Sequence, residues 1–429
     1  MQTHFSLAAL ADPKIAECEK ILRACVHCGF CTATCPTYLE TGDELDSPRG
    51  RIYLVKEMLE SGRAGDERTA RHLDRCLSCL SCMTTCPSGV DYMHLVDHAR
   101  AHVEATWERP AADRALRALL AALFTRPAAL RAALRAARFS KPLAPLLPPR
   151  LRAMLRLAPD RLPTPSPVDH PQVMPAAGPR KLRVALLTGC AQTVLAPRIH
   201  EATVRLLNRC GVEVVVAQGT GCCGALPHHL GRTSDAVEMA RRNVAAWSRE
   251  IAAGGLDHIV VDASGCGTTL KDYGHLLRGA PEAEAGARIA AMTHDVSELL
   301  AGVGYAPSNA PPRLRIVYHS ACSLQHGQKV TSPPVELLRR AGFEVVAPVE
   351  SHICCGSAGT YNMLQPELAA ALGARKAGHL EATGAQAVAA GNLGCLTQIA
   401  AHSALPAVHT SELLDWAAGG PKPAALSGV

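Results

Sequence analysis

Aromatic residues make up only 3% of this 429-residue chain, too few for the stacking platforms on which proteins hold single-stranded nucleic acid. No apolar run approaches the ~20 residues that a membrane-spanning helix needs; the longest, Ala115 to Phe124, is interrupted by Arg117. The N-terminus lacks the basic start, apolar middle and small-residue cleavage site of a secretory leader, so a soluble or peripheral protein in a reducing, intracellular setting is expected. Neither a phosphate-binding G-x-x-x-x-G-K-[ST] loop nor a G-x-G-x-x-G turn follows an expected strand, which argues against a nucleotide or flavin site within the chain. His98 and His102 stand at helical spacing without an H-E-x-x-H pattern or a carboxylate partner, and they read as surface residues.

What the chain has in quantity is cysteine, 18 in all. "CVHCGFCTATCP" runs from Cys25 to Pro36, and fifty-one residues on "CLSCLSCMTTCP" repeats the spacing from Cys76 to Pro87. Thiols two residues apart bring several sulfurs to one point, which suits a soft metal centre. The run C-x2-C-x2-C-x3-C-P is the pattern of two-cluster ferredoxins, in which the fourth cysteine of each run ligates the other run's cluster. By that rule Cys25, Cys28, Cys31 and Cys86 surround one [4Fe-4S] cluster, and Cys76, Cys79, Cys82 and Cys35 the other. Each proline fixes φ where the backbone leaves. The competing readings are zinc, which favours pairs of C-x2-4-C arms, and disulfides, which dominate small secreted chains.

The net charge of +6 is unevenly spread. From Arg109 to Arg161 twelve Lys or Arg face only Asp113 and Asp160, a local +10. "RALRALLAALF" and "LRAALRAARF" have the spacing of amphipathic helices, and Pro127, Pro142, Pro145, Pro148 and Pro149 chop the segment into short pieces. It reads either as solvated helices joining two domains or as a basic face for anionic lipid or an acidic partner. Pro163 to Pro179 reads as a linker.

Beyond it the pattern becomes α/β. "KLRVALLTGC", "VEVVVAQGTGCCG" and "LDHIVVDASGCG" are apolar runs that each end in cysteine, and the order returns as "RLRIVYHSAC", "FEVVAPVESHICCG" and "AQAVAAGNLGC". Cys190 to Cys322, Cys222 to Cys354 and Cys223 to Cys355 are each 132 residues apart, and Cys266 to Cys395 is 129. A register held over four cysteines implies two copies of one domain. Ligands of an open parallel sheet bind at the carboxyl ends of its strands. Cys190, Cys222, Cys223 and Cys266 are therefore expected around one point, and Cys322, Cys354, Cys355 and Cys395 around another. Small buried residues at a sheet end, or a redox disulfide at each vicinal pair, are the alternatives. Cys18 and Cys210 remain as ordinary thiols. The expected organisation is a mainly helical two-cluster unit (1–104), a basic helical segment and linker (105–180), and two α/β copies with parallel sheets (181–310 and 311–429).

Two ferredoxin runs followed by two C…CCG…C copies resemble the cysteine-rich CCG family, which includes heterodisulfide reductase subunits and the iron–sulfur subunits of anaerobic glycerol-3-phosphate and lactate dehydrogenases. Within it, "ILRACVHCGFCTATCPTYLETGDELDSPRGRIYLVKEML", "ASGCG", "CSLQHGQK" and "SHICCGSAGTY" resemble the glycolate oxidase iron–sulfur subunits. The resemblance implies an electron-transfer subunit, inactive alone, of an oxidoreductase acting on CH–OH donors. FAD would sit on a partner subunit, and electrons would pass toward membrane quinone. Two clusters would occupy the ferredoxin unit and a further one a CCG site, and the location implied is cytoplasmic, with peripheral contact at the inner membrane and no nucleic-acid partner. A reductase with its own chemistry at a CCG-site cluster is the alternative. Leu80, Ser81 and Met83 replace more familiar polar or charged residues, and Ser320 stands where an extra cysteine is often seen.

Overall fold

The computed structural model describes residues 1–307 and 314–428; the boundary expected between 310 and 311 lies outside them. The N-terminal unit is built of helices whose starts are written locally. Asp12 accepts from the Lys14 amide and Ser47 from the Gly50 amide, each with proline at the first helical position, to begin Pro13–Ala24 and Pro48–Glu60. Leu22, Met58 and Leu95 bury together with Cys18, and the helix Tyr92–Thr106 closes the unit. On that helix His98 is half-buried and His102 Nε2 lies 3.0 Å from the Arg63 carbonyl, so neither is a free surface residue.

Two parallel sheets follow. The first contains β1 (Gln172–Met174), β2 (Leu182–Leu186), β3 (Val212–Val216), β4 (His258–Val261) and β5 (Thr293–Asp295), in the order β1-β3-β2-β4-β5, with only β1 antiparallel. The second contains β6 (Arg315–Tyr318), β7 (Glu344–Val346), β8 (Ala387–Ala390) and β9 (Ala407–His409), in the order β7-β6-β8-β9. Beyond Arg183, Glu213, His258 and Arg315 near their starts, the central strands β2, β3, β4 and β6 are apolar, as strands covered by helices on both faces are. β1 lies in the stretch read as linker, so part of that proline-rich segment is an ordered sheet edge. β5 and β9 carry no apolar run. Each passes directly into a helix closed by a reciprocal capping box, Asp295 with Glu298 and His409 with Glu412.

The copies meet reciprocally. Helix Arg198–Arg209 of the first lies on Thr410–Ala417 of the second, and Val296–Gly302 of the first lies on Ser332–Arg340 of the second. Val184, Leu206 and Leu300 share one apolar core with Ile316, Leu338 and Leu414. At its rim Arg205 reaches the buried Asp415 at 2.6 Å.

The helical unit docks on both copies. A Cβ on Gly231 would stand 2.6 Å from the Arg100 carbonyl, so only glycine allows that approach of the first copy. On the second copy Thr84 Oγ1 lies 2.7 Å from His326 Nδ1, and Arg375 pairs with Glu40 at 3.0 Å. In the basic segment, helices Ala111–Phe124 and Pro127–Ser140 form as their spacing predicts. Part of the +10 is neutralised internally: buried Arg109 and Arg117 bind Asp74 at 2.7 and 2.6 Å, and Arg150 binds Asp113 at 2.7 Å. Arg131 donates to the Pro163 and Thr193 carbonyls, so it fastens the segment to the first copy.

Candidate cluster-binding sites

All eighteen cysteines are free thiols, the vicinal pairs included. Cys25, Cys28 and Cys31 of the first run line one cavity together with Cys86, the last cysteine of the second run; Cys82 forms its inner wall. Ile52, Val90 and Tyr92 supply apolar lining. The loop reaches this shape through left-handed residues at His27 and Gly29, and the second run repeats them at Ser78 and Leu80. Leucine pays no such visit to the left-handed region without strain, and Leu80 is held there because it is buried and reaches over Gly327 of the second copy. Cys28 is exposed, and Val26, Phe30 and Tyr53 stand exposed beside it.

Cys35, Cys76, Cys79 and Cys82 lie deeper. Arg51 is 1% exposed; its guanidinium stands 3.9 Å from Cys35 Sγ and 3.7 Å from Asp46, and Tyr92 Oη is 3.8 Å from Cys76 Sγ. Burial pushes the Cys76 thiol up, but the charges of Arg51 and Arg100, with donation from Ser78 and Tyr92, hold it below its ordinary value. Burial drives Cys79 and Cys82 up, and the neighbouring thiols add to it, Cys322 foremost for Cys79. Cys79 packs in one apolar cluster with Cys354, and Cys322 borders it, so the second run abuts the cysteines of the second copy.

In each copy the cysteines gather at the carboxyl ends of the strands, as the repeat register predicts. Cys190 follows β2, Cys222 and Cys223 follow β3, and Cys266 opens the helix Ser264–Lys271 after β4. Cys190 and Cys222 sulfurs are 3.6 Å apart, and the Cys223 thiol is within hydrogen-bonding reach of Cys222 and Cys266. The second copy repeats this, with Cys322 and Cys354 sulfurs 3.7 Å apart and the Cys355 thiol within hydrogen-bonding reach of Cys354 and Cys395. Gly224 and Gly356 turn at φ +90 and +88, and a Cβ would press on the Ala236 and Ala369 carbonyls at 3.0 and 2.7 Å. Hydrogen bonds accepted from Cys190 and Cys223 hold Cys222 below its ordinary value, while sharing a proton with Cys222 drives Cys190 up. Thiols packed this closely suit a soft cation, since a coordinated thiol loses its proton. The two nests face each other where Ser264 Oγ meets Ser323 Oγ at 2.7 Å.

Sequence reasoning missed three charged or polar groups beside these thiols: Arg51, His319 and Lys376. None belongs to a spaced motif, and only comparing the two copies position by position would have drawn out the last two.

Two four-thiol runs crossing over one another, followed by two α/β copies that each hold four thiols at a sheet end, define an iron–sulfur protein. Residues 21–90 match the family model of the 4Fe-4S dicluster domain, and residues 184–271 and 316–400 match that of the cysteine-rich domain, CCG. The chain is 40% identical to the glycolate oxidase iron-sulfur subunit of Escherichia coli (strain K12), across 97% of this chain and 99% of that one. It is 32% identical to the probable glycolate oxidase iron-sulfur subunit of Bacillus subtilis (strain 168), across 94% and 95%. Lactate utilization protein A of Geobacillus kaustophilus is 28% identical and matches 54% of this chain. A solved structure, a hypothetical protein from Helicobacter pylori, shares the fold with a TM-score of 0.54 at 12% identity, covering 97% of this chain and 74% of that one. The chain belongs to the family of glycolate oxidase iron–sulfur subunits.

Proposed function

We propose that this chain is the electron-transfer subunit of a complex that oxidises glycolate or a related 2-hydroxy acid, taking electrons from an FAD-bearing partner and delivering them toward membrane quinone. The observation that carries this reading is the order of the thiol nests. The first-run nest reaches the surface at Cys28, with Val26, Phe30 and Tyr53 exposed around it. The second-run nest lies behind it across Cys82, and Cys79 joins that nest to Cys354 of the second copy. Apolar side chains beside an exposed ligand suit the docking of a protein donor. Clusters held at these nests carry one electron at a time, which lets the pair removed from a hydroxy acid by a flavin leave singly.

The ligand sets are those of the crossover rule: Cys25, Cys28, Cys31 and Cys86 for one [4Fe-4S] cluster, and Cys76, Cys79, Cys82 and Cys35 for the second. The cysteine-rich copies offer Cys190, Cys222, Cys223 and Cys266, and Cys322, Cys354, Cys355 and Cys395, to further clusters. The second copy is the one in line with the relay. The function is tested by reconstituting the chain with its flavoprotein partner. Glycolate should bleach the cluster absorbance only when both are present, and Cys79→Ser should stop quinone reduction while flavin reduction continues. Glycolate oxidation by the chain alone, or normal quinone reduction in Cys79→Ser, would overturn the reading.

A further inference from the structure

The two cysteine-rich copies differ at two buried positions beside their thiols. In the 132-residue register set by Cys190 and Cys322, His319 stands where the first copy has Leu187. Leu187 is buried in an apolar core that includes Cys223, so the fold accepts hydrocarbon at this point. His319 is 1% exposed, and neither Nδ1 nor Nε2 has a hydrogen-bond partner. An unpaired buried polar atom is destabilising, a cost that leucine avoids. A ring nitrogen of His319, Cys355 Sγ and Cys395 Sγ all lie within 4.8 Å of one another.

The second difference lies on the long helix behind the vicinal pair. Gly224 and Gly356 rest on Ala236 and Ala369, and counting from those alanines sets Asn243 of the first copy opposite Lys376 of the second. Asn243 donates to the Cys222 carbonyl at 3.0 Å and is neutral. Lys376 is 2% exposed and donates to the Glu350 carbonyl at 2.7 Å. A buried cation is stabilised by anionic groups nearby, and Cys355, Cys354, the Glu350 carboxylate and Cys395 are the neighbours that interact with its charge.

We infer that His319 is a ligand of an iron–sulfur cluster in the second copy, so that this site binds through four cysteines and one imidazole while the first offers cysteine alone. The inference rests on the reading that the second copy holds a cluster. A neutral imidazole adds no negative charge where a fifth thiolate would, so the second site keeps the thiolate count of the first, and net charge and nearby hydrogen bonds set a cluster's potential. With Lys376 beside it, the second site is the more easily reduced of the two.

Pulsed electron paramagnetic resonance of the whole chain purified without oxygen, with and without 15N-histidine labelling, should reveal one cluster coupled to an imidazole nitrogen. His319→Leu, which installs the residue of the first copy, should abolish that coupling and leave the two ferredoxin-type signals unchanged. His319→Cys should retain the iron and lower the cluster's midpoint potential. Coupling that survives in His319→Leu, or a second-copy cluster without nitrogen coupling, would overturn the ligand. If Cys355→Ser kept the full iron and sulfide content, the second copy would hold no cluster, and both the reading and the ligand would fall.

Discussion

Arg51 has no solvent to answer to. Its guanidinium donates to the His72 carbonyl at 2.7 Å and to Thr37 Oγ1 at 3.0 Å, between Asp46 and Cys35. Arg51→Met removes the donors to the buried His72 carbonyl and Thr37 Oγ1, which costs about 1–3 kcal/mol, while Asp46 keeps Arg75 and His72 at 2.7 Å; denaturant unfolding should show the loss. The same change removes a positive charge beside Cys35 and Cys76, so the potential of the second-run cluster should fall in a redox titration, and Arg51→Lys should restore most of the potential but less of the stability. Cys35→Ser is expected to erase the electron paramagnetic resonance signal of the second-run cluster and spare the first; loss of the first alone would refute the crossed ligand sets. The thiols themselves were legible because cluster ligation demands a fixed spacing along the chain. Arg51 was not, because a group that approaches a site through space leaves no period in sequence, and His319, three residues before Cys322, stands out only against Leu187 of the other copy. The αL residue shared by Gly29 and Leu80 was half legible, since glycine announces such a turn and leucine does not.

Between elements, the helix Tyr92–Thr106 is joined to the first copy by His94, whose Nδ1 lies 2.7 Å from Asp91 and Nε2 3.0 Å from Asp272, with His275 stacked on it and Glu17 bonded to His275. Burial alone would lower its pKa, but the two carboxylates outweigh that and raise it to about 10. An unfolded histidine titrates near 6.5. The raised value means that His94 contributes its full stability below about pH 6.5 and loses it as pH climbs through about 10. The thermal midpoint should therefore decline between those limits, and His94→Gln should flatten that part of the profile. Strands β2, β3, β4, β6, β7 and β8 were visible as apolar runs that end in cysteine. β5 and β9 were not, for three residues such as Thr293–Asp295 become a strand by pairing with β4, and β1 is recruited to an edge from a stretch whose prolines argue for a linker.

At the scale of the whole molecule, none of the helices among the described residues is long and apolar enough to cross a membrane, so contact with lipid would fall to the basic segment. Arg126, Arg135 and Arg138 are exposed there, and Leu119 and Phe139 are exposed on the same two helices. Replacing the three arginines with glutamine should weaken binding to vesicles of anionic lipid by about 1 kcal/mol each, roughly a hundredfold together, and vesicle sedimentation at low salt would measure it; unchanged binding would leave the segment a structural strap. The two α/β copies were legible from the cysteine register, but the way they join was not. Each gives the other the same two helices in exchange, which is the contact made by two identical chains about a two-fold axis. Identical chains would be bound to carry identical sites. Once such a pair is a single polypeptide, either half is free to change without altering its counterpart. Leu187 and Asn243 against His319 and Lys376 are differences that no symmetric dimer of one chain could hold, and covalent linkage is what lets one molecule keep two unequal cysteine sites.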